Sequence, residues 1–216
     1  MTQEEFVSTL TNPNGIIQSD RVAPSIASDM QRKAIIAVIL AWLVIFVYIA
    51  IRFTKWTWGL GGVACLVHDS LIVIGFFSLF SGILPFNLDV DSNFIAAILT
   101  IIGYSINDTV VIFDRIREYR RLYPKRDLKT NCNEALNSTL TRTCNTSAST
   151  LVVLIAIAIF GGEVIRGFSV ALIIGIVVGT YSSIFVGTPI VYDIAMSREK
   201  KLAAKNGKPV AAKTTK

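Results

Sequence analysis

The chain has 216 residues, of which 52% are hydrophobic, and its mean hydropathy is +0.57. This apolar excess predicts a membrane protein and leaves no room for a sizeable soluble core. The net charge is +6, but basic and aromatic residues are not interleaved on a soluble face, which argues against nucleic-acid binding.

Residues 1–33 are polar and lack the basic-then-apolar order of a signal peptide. Turn signals at Asn12-Pro-Asn-Gly15 and at Pro24 indicate the end of an extracytoplasmic domain that runs into the first helix. Because the first apolar run begins only after Lys33, we expect this sequence to be part of a longer protein.

Five continuous apolar runs follow, each close to the length of about 20 residues at which a helix crosses a bilayer. Continuous rather than alternating apolar residues favour helices over a closed barrel. We therefore predict an all-α membrane protein whose five transmembrane helices form a domain over residues 34–196. The five segments are 34–51, 58–84, 94–113, 146–160 and 167–192.

Basic residues are distributed unevenly between the two sides of these segments. With Arg142 left out, residues 52–56, 114–143 and the tail 197–216 carry sixteen Lys and Arg, against four on the other side. The positive-inside rule therefore places the N-terminal end outside and the basic tail in the cytoplasm. The tail has too little apolar content to fold, and it either attracts anionic lipid or ribosomal RNA or only fixes the topology.

His68 and Asp69 lie in the middle of the second predicted helix, at membrane depth. They either take part in a relay with a functional site or form an internal hydrogen bond that packs helices. Neighbouring helical positions point about 100° apart, so the two side chains cannot both face one partner. We keep both residues as candidate polar support for a site and favour the packing role.

Asp108 is the residue that indicates function most directly. A carboxylate within an apolar run is costly, and such residues mark ion or proton pathways. Counted from Asp114, it lies roughly 9 Å from the cytoplasmic end of its helix. Ser105, Asn107 and Thr109 give it small, polar surroundings that can hold water, and Ser105 lies on the same helical face.

Arg142 stands at the entrance to the fourth apolar run, where it can face Asp108. If the fourth helix begins near Glu134, Arg142 lies roughly 12 Å along it, at a similar depth. Pairing costs less than two unpaired charges, and moving the arginine away would change the proton affinity of the carboxyl. The two residues therefore form either a proton-loading switch or a static ion pair that fixes helix register.

Little else in the sequence suggests chemistry. Charges in 114–118 end the third helix, where we expect anchoring and a cytoplasmic contact surface. Three cysteines without a C-x-x-C pair and a single histidine do not make a zinc-binding pattern, and no Walker sequence occurs. We therefore expect no metal, no cofactor and no enzyme activity.

A long motif in the third segment resembles the signature of the SecF family of protein-export membrane proteins. It reads Gly103-Tyr-Ser-Ile-Asn-Asp-Thr-Val-Val-Ile-Phe-Asp-Arg-Ile-Arg-Glu118. Other residues typical of this family occur in the same order along the chain, and the resemblance covers residues 20–196. They are His68-Asp69, Arg142-Thr143, Thr146-Ser147, Phe160-Gly-Gly162, Gly167-Phe168-Ser169 and Gly175.

The resemblance implies an RND-like helical bundle in the bacterial inner membrane that helps unfolded preproteins to emerge, driven by the proton gradient. It implies SecD and the SecYEG channel as partners, with YajC and YidC as further candidates and lipid around the bundle. It also implies that Asp108 and Arg142 conduct protons. A complete SecF has an earlier helix and an extracytoplasmic domain, so the sequence resembles the C-terminal part of a SecF, separate or fused to SecD.

Two other functions stay open. An RND-type exporter of lipids or small molecules would use the same proton helix but would need a large outer domain with a substrate pocket. The end of the motif, 114–118, argues against it. In a non-transporting translocon scaffold, the pair of Asp108 and Arg142 would only hold helices together.

Overall fold

The computed structural model describes residues 24–53, 56–83 and 91–205, which form six α-helices and one π-helical turn. Five stretches are long and apolar enough to cross a membrane, which confirms the predicted all-α architecture with five spanning helices. The elements are α1 (Pro24–Phe53), α2 (Trp56–Phe80), α3 (Ser92–Leu122), α4 (Leu128–Phe160), α5 (Gly162–Ser182), the π-turn (Ser183–Gly187) and α6 (Thr188–Lys205).

The helices extend beyond the apolar runs that predicted them. The polar region 114–133, which lies outside the five predicted segments, is mostly helical, because α3 continues to Leu122 and α4 begins at Leu128. The expected start of the fourth helix near Glu134 is therefore wrong, and Arg142 lies roughly 21 Å along α4. An apolar run marks the part of a helix suited to lipid, whereas backbone hydrogen bonding continues into water.

The short connection between α3 and α4 is held by polar contacts of its own. Asn131 Nδ2 donates to the Tyr123 carbonyl oxygen over 3.2 Å, and Arg126 lies 3.9 Å from the centre of the Tyr123 ring. The Arg126 guanidinium also donates to a Glu134 carboxylate oxygen over 2.7 Å. These contacts tie the first turns of α4 to the end of α3.

Helix α5 packs against α2, α3 and α4, and α3 also packs against α2 and α4. Close approach of α5 to α3 depends on Gly175, where a Cβ atom would overlap three atoms of the buried Ile101 side chain. Ser147 and Thr180 hydroxyls, 2.7 Å apart, tie α4 to α5. These packed helices position the candidate site.

Two apolar clusters lie along α3, one on each side of residues 105–109. The first includes Phe77, Ile101 and Leu172, and the second includes Trp58 and Phe113. The Phe113 ring is 0% exposed and meets the Trp58 ring edge-on at 5.2 Å. The buried polar residues of this segment, Ser105, Asp108 and Thr109, thus lie between two hydrophobic cores.

The chain divides after Ile35 into two units. In the first unit, the described residues form the start of α1, where Lys33 pairs with Asp29 over 2.7 Å. In the second unit, α1 ends with the fully buried Ile49 and Phe53, whereas most of its other side chains are exposed.

Candidate functional site

Asp108 lies on α3 within the enclosed segment between the two apolar clusters. Its relative exposure is only 5%. Among the residues that the structure describes, no atom makes a hydrogen bond or an ion pair with its carboxylate. A buried carboxylate without a direct partner is costly in its ionised form, so this residue is set apart from the other acidic groups whose side chains the structure describes.

Arg142 lies on α4 and is exposed. Its guanidinium is near enough for electrostatic attraction to the Asp108 carboxylate. The ion pairs between described residues do not include this one, so no contact within 4.0 Å joins the two groups. The arrangement is an attraction across a gap, not a closed salt bridge.

Asp69 and Ser105 are brought together across two helices. The Ser105 hydroxyl donates to Asp69 Oδ2 over 2.6 Å, and both residues are almost fully buried, with exposures of 2% and 0%. His68 Nδ1 lies 3.2 Å from the other oxygen, Asp69 Oδ1, while its ring remains 31% exposed. The carboxylate therefore has a partner on each oxygen, unlike Asp108.

Thr109 makes a contact that sequence reasoning missed. Its hydroxyl lies 2.8 Å from the Ser183 hydroxyl on the π-turn, and both residues are 0% exposed. The Thr109 hydroxyl also lies within 3.1 Å of the Ser105 carbonyl oxygen, to which it can donate. A π-turn within an α-helix often occurs at a functional site, and this one contacts the turn that carries Asp108.

Two further contacts are made by residues close in sequence to these. Cys65 Sγ on α2 lies 3.4 Å from the Ser182 carbonyl oxygen, at the end of α5. Tyr104 and Thr150 hydroxyls, 3.2 Å apart, join α3 to α4. Asn107, a predicted support residue, is exposed and lies apart from these contacts. The contact between Thr109 and Ser183 had one signal in the sequence: the adjacent Ser182 and Ser183 interrupt an apolar run.

The buried polar residues around Asp108 have a simple chemical capability. Hydroxyl groups of Ser105, Thr109 and Ser183 hold helices together by hydrogen bonds, and Asp69 accepts one of these bonds. Asp108 alone presents a carboxylate whose charge is opposed only at a distance. Such a group can take up and release a proton while its neighbours keep their partners.

Comparison with known proteins identifies the relatives of this chain. A family model described as protein export membrane protein SecD/SecF, C-terminal, matches residues 2–197. A protein translocase subunit SecF of Rhodothermus marinus is 54% identical over 179 residues, which are 83% of this chain and 58% of that protein. One of Haemophilus influenzae is 40% identical over 210 residues, covering 96% of this chain and 62% of that protein.

The fold matches a solved structure as well. A crystal structure of SecDF in a super-membrane-facing form is similar with a TM-score of 0.75 and 34% sequence identity. The match covers 95% of this chain but 28% of that one. The chain therefore spans about three fifths of the SecF relatives it matches and a smaller part of the SecDF chain.

Proposed function

The chain belongs to the SecD/SecF C-terminal family of protein export membrane proteins, and from that premise we propose that it serves in a proton-driven accessory to Sec protein translocation. In this function it forms the C-terminal membrane domain of a SecF, and the proton gradient assists the emergence of preproteins. The observation that carries the proposal is Asp108, which is 5% exposed and has no direct partner among the described residues.

The mechanism follows from the gap between Asp108 and Arg142. When Asp108 is ionised, the Arg142 guanidinium is attracted to it, and when Asp108 binds a proton this attraction ends. The helices that carry the two groups, α3 and α4, then have two preferred arrangements. Repeated loading and release of the proton moves α4 against α3, and an attached outer domain transmits this movement to the emerging chain.

The partners and the location follow from the same family assignment. SecD, as a separate chain or a fused half, supplies the other half of the membrane bundle, and the SecYEG channel supplies the preprotein. YajC and YidC are further candidate partners. In this proposal the protein lies in the bacterial inner membrane, with its N-terminal end outside and its tail in the cytoplasm. The uneven distribution of basic residues supports this orientation. It acts by movement and without covalent catalysis.

Two rival functions predict different results. An RND-type exporter of lipids or small molecules would couple the same proton step to a different cargo, so it would copurify with lipid rather than with a translocon. A non-transporting scaffold would use Asp108 and Arg142 only for assembly, so paired neutral substitutions would preserve both assembly and export.

The decisive experiment is preprotein release from membrane vesicles that carry the intact protein, with and without a proton gradient. We expect Asp108→Asn to abolish the dependence on the gradient while expression and assembly stay normal, since asparagine has a similar shape but binds no proton. Release that keeps its full gradient dependence in this variant would contradict the proposal.

Asp114→Asn is the matched control. Asp114 lies on the same helix, but its side chain is 51% exposed and pairs with Arg52 over 3.7 Å. Exposed ion pairs contribute at most about 1 kcal/mol to stability. We expect gradient-dependent release by this variant to match that of the unmodified protein.

A further inference from the structure

Asp69 is a second carboxylate at membrane depth, and the proton step described above does not use it. Its exposure is 0%, and burying an ionised carboxylate is costly unless partners satisfy it. Ser105 donates to one oxygen at 2.6 Å, and His68 lies 3.2 Å from the other. Both oxygens are engaged, so Asp69 is built to hold neighbours in place.

The residue that Asp69 holds lies one turn before Asp108. Ser105 and Asp108 are three residues apart on α3 and therefore share a helical face. At the other end of this turn, Thr109 is held by Ser183, 2.8 Å away on the π-turn. Asp108 thus lies between two anchors, one from α2 and one from the segment that follows α5.

Gly179 allows α5 to close over the first anchor. A Cβ atom at this position would lie 3.1 Å from Ser105 Oγ and 3.4 Å from Asp69 Oδ2. The first distance is tighter than ordinary van der Waals contact, so a side chain here would press on the hydrogen bond between Ser105 and Asp69. The close approach of the α5 backbone at Gly179 therefore encloses the hydrogen bond between Ser105 and Asp69.

We propose that Asp69 is a positioning residue for Asp108: by accepting the Ser105 hydrogen bond, it fixes the rotation of α3 and keeps the Asp108 carboxyl where Arg142 acts on it. This inference rests on the proposed role of Asp108 as the proton carrier. Asp69 itself keeps its two partners throughout. What it contributes is an acceptor oxygen in a fixed place.

The substitutions that test this role distinguish the hydrogen-bond acceptor of Asp69 from its negative charge. Asp69→Asn keeps an oxygen for Ser105, and its amide N–H can donate to His68, whereas Asp69→Leu has a similar volume and no acceptor. Ser105→Ala removes the donor with a smaller change in shape. Thr100→Ala is the matched control on α3, because the exposed Thr100 hydroxyl bonds only its own helix, at the Ala96 carbonyl oxygen 2.8 Å away.

The readout is the rate at which dicyclohexylcarbodiimide modifies Asp108 in vesicles that carry the intact protein, measured by mass spectrometry of the peptide. This reagent reacts with protonated carboxyls in apolar surroundings, and fragment ions of the peptide distinguish modification at Asp108 from modification at Asp69. We expect Asp69→Leu and Ser105→Ala to change the rate by about 2- to 12-fold, the range that corresponds to the loss of one hydrogen bond. Asp69→Asn and Thr100→Ala should label at close to the unmodified rate.

Two results would overturn the inference. If Asp69→Leu and Ser105→Ala both label Asp108 at the unmodified rate, Asp69 does not position it. If Asp69→Asn changes the rate as much as Asp69→Leu does, the charge of Asp69 matters rather than its acceptor. Should Asp69→Leu fail to assemble, Ser105→Ala decides alone.

Failure of the proposed function would look different. Unchanged gradient-dependent release in Asp108→Asn would remove the proton role and leave the labelling comparison intact, because that comparison does not depend on export.

Discussion

Replacing Gly175 by alanine tests the packing of α5 against α3 with a single added methyl group. A Cβ atom at Gly175 would overlap three atoms of Ile101, which is 1% exposed. Ile101 is β-branched and has little rotamer freedom in a helix, so it cannot turn away. The helices must separate or the isoleucine must take a strained conformation.

The magnitude follows from comparison with Gly75→Ala. Gly75 also lies within a helix, but a Cβ atom there meets nothing within 4 Å. Both substitutions gain the helix propensity of alanine, about 1 kcal/mol in soluble helices, and only Gly175→Ala adds overpacking, which typically costs about 1–3 kcal/mol. The propensity contribution cancels in the difference, so Gly175→Ala should be less stable than Gly75→Ala by about 1–3 kcal/mol.

The assay is thermal unfolding of the intact protein in detergent, with both variants prepared in parallel. We expect the midpoint for Gly175→Ala to lie below that for Gly75→Ala by about 2–4 °C for each kcal/mol of the difference. Equal midpoints for the two variants would refute the close packing of α5 on Ile101.

Two further substitutions probe contacts around the site. Thr109→Val and Ser183→Ala should each destabilise the protein, and the double variant should cost less than their sum by about 0.5–1.5 kcal/mol, as measured in a double-mutant cycle of unfolding; additive effects would mean that the hydroxyls do not interact. Phe113→Ala should cost about 3–5 kcal/mol in the same assay, because its ring is 0% exposed and packs against Trp58. Phe185→Ala, at a ring that is 61% exposed, should stay within about 0.5 kcal/mol, and comparable losses for both would contradict the burial of Phe113.

The number and type of the spanning helices could be predicted from sequence because lipid imposes a length and a composition on each segment. Asp108 could be singled out for a similar reason, since a carboxylate in an apolar run is costly wherever the helix faces. The ends of the helices could not be predicted in this way. At 114–133 the chain is polar but remains largely helical, since helical hydrogen bonds form in water as well as in lipid.

The partners of the site residues depend on which faces of the helices meet. Ser105 and Asp69 are 36 residues apart in the chain, and Thr109 and Ser183 are 74 apart. Adjacency in the sequence favoured Asn107 as support for Asp108, but this residue is exposed. Contacts of this kind follow from the packing of α2, α3 and α5 against one another, which no single segment encodes.

The π-turn Ser183–Gly187 also sets the directions in which the side chains of α6 point around its axis. An α-helix advances by 100° per residue, and each π-type hydrogen bond spans one residue more than an α-type bond. The buried face of α6, which includes Thr188 and Val191, is therefore offset by about 100° from where an uninterrupted helix would put it. Losing or gaining one residue in this turn would rotate the whole of α6 on the bundle, so the length of a five-residue turn decides which side of the last helix faces the core.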